Sequence, residues 1–205
     1  MEDGGQRDTY RTVRAEESAE ITVKKSRFTA FIRHIETVPE VEEYLASLRK
    51  RYHDATHHCY AYCIGRGDDQ RERFHDDGEP SGTAGRPILT VLKSMELTDI
   101  ICVVIRHYGG TKLGVGGLAR AYTDAVQAAV GAATVVTQTA KKELGLEFPY
   151  ELTGAVERHV AECADAVLHR EFGESPRITC AVRESRIEDF KRQFRDITRD
   201  KGRIT

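Results

Sequence analysis

The chain reads as an α+β protein of two compact parts, and three features carry that reading. Alternating apolar and polar residues run from Glu20 to Ile32, the period of half-buried strands. A continuous apolar run at 100–105 lies between two helix-like amphipathic stretches, as a buried strand does in a layered α/β unit. Near 133–141 the composition shifts to threonine, valine and glutamine, and a new alternation of strands and helices begins.

Taken in order, residues 1–18 are polar and acidic, and they predict a flexible N-terminal segment before a first domain at 19–135. Ile21 and Val23, then Phe28, Ala30 and Ile32, predict two strands joined near Lys25 and Ser26. Val41, Tyr44, Leu45 and Leu48 recur at helical spacing within 39–52. A strand at 57–64 and a short partner at 71–74 follow, then a loop at 75–85. The next helix spans 88–95, with Pro87 in its first turn, where a missing N–H costs little. The buried strand covers 99–105 and a second major helix 118–130, with Leu118, Tyr122, Ala125 and Ala129 on its apolar face. For a second domain at 141–205 the pattern predicts a strand at 143–148, a helix at 150–169, a strand at 177–182, a helix at 187–199 and a short terminal strand. A further strand around 168–172 is compatible with the end of that first helix. The order fits a small split βαβ sandwich.

Composition narrows the function classes. The net charge is −2 over 205 residues, so a global basic field is absent and nucleic-acid contact would need a local patch. No apolar run approaches the roughly 20 residues of a spanning helix. The polar start is unlike a secretory signal. Five cysteines without framework spacing fit free thiols in a reducing compartment. The expectation is a soluble, cytoplasmic protein with no membrane partner; its oligomeric state is left open.

The densest signal is the stretch 106–120, RHYGGTKLGVGGLAR, with five glycines and no carboxylate in fifteen residues. Strand, glycine-rich turn and helix offer backbone N–H groups and a helix dipole to an anion. It is not a nucleotide P-loop, because Leu113 follows Lys112 where a metal-binding hydroxyl would stand. Nor does it have the glycine order of a dinucleotide fingerprint. The predicted anion site comprises Arg106, His107, Gly109, Gly110, Thr111, Lys112, Gly114, Gly116, Gly117 and Arg120, with His57 and Tyr60 beside it. Packing of a helix on a sheet would explain the glycines but not their positive neighbours. Arg120 fits an ordinary solvated helix face equally well.

A second cluster is acidic: Asp76, Asp77 and Glu79, followed by Ser81 and Thr83. Clustered carboxylates suit a divalent cation or an acid–base pair. They equally suit an acidic turn in which Ser81 or Thr83 caps the next helix, or a loop that pairs with the basic one. The run His57-His58-Cys59 invites a metal assignment that strand geometry opposes. Cys59 and Cys63 would lie ~13 Å apart at ~3.3 Å per residue, too far for one zinc ion. No resident cofactor or metal is expected, and a core role is the default for Cys59. The arginines and lysines of 183–203 are interleaved with acids and read as a solvated face.

The runs DDGEPSGTAGRPIL (76–89) and RHYGGTKLGVGGLARAY (106–122), with DATHHCYAY (54–62) and KKSRF (24–28), closely resemble the Impact/YigZ family. His58 stands where the family commonly has asparagine, and His107-Tyr108 where it often has tyrosine-phenylalanine. The resemblance implies an N-terminal α/β sandwich of the ribosomal protein S5 domain 2-like fold and a small ferredoxin-like C-terminal domain. The eukaryotic Impact protein is a translational regulator, and its N-terminal interaction module has no counterpart in this sequence. The implied function is a non-catalytic, translation-associated protein that binds RNA, the ribosome or a ribosome-bound protein through the basic glycine loop. The alternative is an enzyme for a small phosphorylated or anionic substrate, with a divalent cation on the acidic loop. The family supplies no settled catalytic residues, and none is assigned.

Overall fold

The computed structural model describes residues 8–205. Its contacts divide into two units, one at Tyr10–Gln138 and one built on Thr139–Thr205 that also takes in Asp8 and Thr9.

The first unit contains β1 (Thr9–Val13), β2 (Glu17–Val23), β3 (Ser26–His34), α1 (Val38–Arg51), β4 (His57–Ile64), β5 (Arg71–His75), α2 (Gly85–Ser94), β6 (Ile100–His107), α3 (Val115–Ala132) and β7 (Val135–Thr139). Five strands form one antiparallel sheet in the order β2-β3-β6-β4-β5. β6 is central and covered on both faces, which is why its sequence is apolar without alternation. Ile100, Cys102 and Val104 pack with Ile88 and Leu92 of α2 and Leu118, Tyr122 and Ala125 of α3. Ile101, Val103 and Ile105 pack with Val41, Tyr44, Leu45 and Leu48 of α1. The result is a three-layered sandwich. Thr37 caps α1 by accepting the Glu40 N–H, and its hydroxyl donates to the Glu40 carboxylate at 2.7 Å.

Residues 1–7 of the predicted flexible segment lie outside the described residues, and from Thr9 onward that expectation is corrected. β1 pairs with β7, and the Thr12 hydroxyl donates to the Asp99 carbonyl at 3.1 Å. The polar composition there belongs to a two-stranded ribbon whose Thr12 and Val13 are fully buried rather than to a loose end.

The second unit contains β8 (Lys141–Glu147), α4 (Thr153–Cys163), β9 (Ala166–Phe172), β10 (Pro176–Arg183), α5 (Ile187–Thr198) and β11 (Arg203–Ile204). The sheet order β11-β8-β10-β9 with both helices on one face is the ferredoxin-like arrangement. The helix expected over 150–169 stops at Cys163. Asp165 ends it: its backbone N–H donates to the Ala181 carbonyl at 2.9 Å, and its carboxylate binds Arg183 through Nε at 2.7 Å. Those long-range bonds turn the chain into β9, which alternation alone left ambiguous. No helix among the described residues is long and apolar enough to cross a membrane.

Candidate anion-binding site at the end of the first sheet

Three chain segments leave the first sheet at one end. The register pairs Arg27 with His107 and His57 with Arg106, so the β2–β3 turn, the start of β4 and the glycine loop after β6 converge there. Under them lies a buried polar network on the face shared with α2 and α3.

Its centre is Arg106. The Arg106 guanidinium donates to Glu79 Oε1 at 2.6 Å, and the two side chains are only 6% and 3% exposed. The Tyr122 hydroxyl donates to the same carboxylate oxygen at 2.8 Å. A second guanidinium nitrogen reaches Ser26 Oγ at 3.3 Å, and the rings of Phe28 and Tyr108 lie 5.3 and 5.4 Å from Arg106 Cζ. Cys59 Sγ sits 3.3 Å from the Tyr122 hydroxyl and 2.9 Å from the Asp76 carbonyl. Burial pushes the thiol of Cys59 and the phenol of Tyr122 well above their ordinary pKa values. Cys59 is fully buried and is held as a thiol, a packed core group.

The acidic loop is fixed from within. The Asp76 carboxylate accepts the N–H groups of Gly82, Ala84 and Gly85 at 2.8, 3.0 and 2.8 Å, and so caps α2 from eight residues upstream. This corrects the assignment of Ser81 or Thr83 as the cap. Ser81 is exposed, and the Thr83 hydroxyl donates to the Pro80 carbonyl at 2.6 Å. A charged acceptor serving several amides displaces a single hydroxyl from that role. Asp77 accepts the His58 N–H at 2.7 Å, while its carbonyl accepts from His57 Nδ1 at 2.8 Å. Asp76 and Glu79 are thus engaged by amides and by Arg106 and Tyr122, while the Asp77 side chain stays 28% exposed. Among the described residues, no three His, Cys, Asp or Glu side chains are arranged to hold a metal ion.

The geometry reassigns several residues of the predicted anion site. Arg106 cannot meet an incoming anion from the surface, because Glu79 already neutralises it in the interior. Gly109 does not offer a free amide either: its N–H donates to Ser26 Oγ at 3.1 Å. A Cβ on Gly109 would stand 2.0–2.3 Å from the backbone of Lys25 and Ser26, so this glycine exists to let two turns touch. Tyr60 points to the α1 face and stacks on His75 at 5.7 Å, which removes it from the site. His57 stays beside the network, its Nε2 3.8 Å from Glu79. His107 turns to the opposite sheet face, 3.4 Å from the exposed Asp54 carboxylate.

An open rim lies outside the network. Thr111, Lys112, Gly114, Gly116 and Arg120 are exposed, as is Tyr108. Gly110 and Gly114 have φ of +81° and +74°, a left-handed conformation that glycine adopts without strain. Gly116 needs neither that conformation nor the space, since a Cβ there meets nothing within 4 Å. No side chain caps the N-terminus of α3, and its first turn contains no acid. Lys24 and Lys25, both at positive φ, form the two-residue turn between Val23 and Ser26. The sequence reading missed these lysines as site residues; the two-residue spacing between alternating strands was their signal.

His58 gives the unit a pH dependence. Burial lowers its pKa, against the opposing pull of Asp77, and burial lowers that of His159 in the second unit. A histidine kept neutral by the fold stabilises it fully above the unfolded value of about 6.5. That contribution is lost as pH falls from there through the lower folded value. Denaturant midpoints should therefore drop between pH 7.5 and 5.5, and His58→Asn should flatten the drop in the first unit. An unchanged midpoint in wild type over that interval would refute it.

A family model described as the Impact N-terminal domain matches residues 24–130, and a domain of unknown function (DUF1949) matches residues 146–201. The chain is 34% identical over 196 residues to the IMPACT family member YvyE of Bacillus subtilis, covering 96% of this chain and 90% of that protein. It is 33% identical over 178 residues to the IMPACT family member YigZ of Escherichia coli, covering 86% and 87%. A solved structure titled a hypothetical protein superposes with a TM-score of 0.71 at 30% identity over 96% of both chains.

Proposed function

The chain belongs to the IMPACT family, and on that premise we propose that it is a non-catalytic, translation-associated protein that binds the phosphates of RNA. The binding surface is the exposed rim: the amides that open α3, with Lys112, Lys24 and Lys25 supplying charge. Arg106 and Glu79 shape it from below.

The observation that carries this reading is Gly116. Gly116 stands in the first turn of α3, where glycine is tolerated, yet neither its backbone conformation nor its packing requires glycine there. It does keep the uncapped N-terminus of α3 bare, which close approach of a phosphate requires. Family membership supplies the translational setting, and the local charge supplies the ligand chemistry.

Anisotropy titrations of a labelled RNA oligonucleotide test it. Lys112→Ala should weaken binding about tenfold and lower the slope of log K against log salt by about 1. A Lys24→Ala/Lys25→Ala variant should act in the same sense. Gly116→Ala should weaken binding while leaving the thermal midpoint unchanged or slightly raised. Salt-independent binding, or wild-type affinity in all three variants, would refute the proposal.

A further inference from the structure

Tyr108 also lies on this rim. At 46% exposed it is the most exposed Phe or Tyr among the described residues of the first unit, ahead of Phe74 at 43%. One face is covered by the Arg106 guanidinium at 5.4 Å, and that guanidinium is itself pinned by Glu79 and Ser26. The backbone is pinned too. The Tyr108 N–H donates to Thr56 Oγ1 at 3.1 Å, and the next residue, Gly109, is seated against the Lys25 turn. The ring is thus an exposed aromatic plate on a held backbone, with one side against the Arg106 guanidinium.

We infer that the RNA bound here is single-stranded and that one unpaired base stacks on Tyr108; this rests on the phosphate-binding reading above. Aromatic rings beside cations serve single-strand binding because every base has a π-face, and a base in a duplex has both faces occupied. A protein partner would be expected to meet a cluster of apolar anchors. Among the described residues, the other exposed large hydrophobics are Val115 on this rim, Phe74 on β5, and Tyr150, Leu168 and Phe172 in the second unit. Around Tyr108 the sequence supplies Gly109, Gly110, Thr111, Lys112 and Leu113, with Lys25 across the turn and Asp54 on the far face of His107 as an acidic neighbour. That is the composition of a stacking platform in a phosphate-binding surface.

The test compares a single-stranded RNA, its duplex, and the same strand carrying abasic sites. Tyr108→Leu keeps an apolar cover over Arg106 but removes the π-face. It should weaken single-strand binding about 5- to 100-fold with an unchanged salt slope. Tyr108→Phe should bind like wild type. The abasic strand should bind wild type and Tyr108→Leu equally, and the duplex should bind wild type more weakly than the single strand. If Lys112→Ala weakens binding while Tyr108→Leu does not, or if the duplex binds as tightly as the single strand, stacking is overturned and phosphate binding stands. If Lys112→Ala has no effect either, the phosphate-binding reading itself fails.

Discussion

Gly109→Ala is expected to be among the most damaging single methyl additions in the first unit. The added Cβ would fall 2.0 Å from the Lys25 carbonyl carbon, 2.2 Å from its oxygen and 2.3 Å from Ser26 N. All three are backbone atoms of a tight turn, so no rotamer change relieves the overlap. Either the β2–β3 turn moves away or the glycine loop does, and both share the Ser26 hydroxyl that holds Gly109 and Arg106. A loss of about 3 kcal/mol is expected, the upper end of the usual range for overpacking. Urea denaturation should show it as a lower midpoint, with loss of RNA binding even where the fold persists. Gly116→Ala is the internal control, because the same methyl there meets open space. Equal stability of the two variants would contradict the close approach of the turns.

Glu79→Ala should cost about as much, by a different route. Removing one partner of a buried ion pair strands the other charge, which typically costs about 3–5 kcal/mol. Here it strands Arg106 and also deprives the Tyr122 hydroxyl of its acceptor. The penalty belongs to the orphaned charge rather than to the pair. Replacing both partners with apolar residues, as in Glu79→Leu/Arg106→Met, should therefore recover much of the stability. Chemical denaturation of the single and double variants separates the two effects. If Glu79→Ala loses less than about 1 kcal/mol, the network does not hold the loop as described. If the double variant is no better than the single one, steric fit rather than charge is the cause.

Much of the first unit was legible in the sequence because its elements are set by local periodicity. α1 announces itself through Val41, Tyr44, Leu45 and Leu48, and β6 through an uninterrupted apolar run. Opposite faces of β4 were also readable, with Cys59 and Cys63 on one side and Tyr60 and Tyr62 on the other. Where local preference was balanced, boundaries slipped. α3 begins at Val115 rather than Leu118, since the glycines that argue against a helix are tolerated in its first turn. β9 was hidden within a helical pattern until Asp165 found Arg183, which is distant in sequence.

The candidate site divides along the same line. The glycine loop, the acidic loop and the KKSRF entry each stand out as short runs whose residue types suggest charge and tight turns. Their mutual roles do not, because hydrogen bonding saturates: a carboxylate or guanidinium can serve the interior or a ligand, and sequence does not say which. Chain periodicity and residue chemistry determined the α+β class and the location of a basic glycine-rich run, and the resemblance of the motifs at 76–89 and 106–122 gave the family. Only the folded arrangement decided that Arg106 faces inward to Glu79 and that Asp76 caps α2. It likewise decided that Lys24, Lys25 and Tyr108, rather than Arg106, front the solvent. The physical reason is that these outcomes depend on partners lying from 6 to 27 residues away, brought into hydrogen-bond range only by the folded chain.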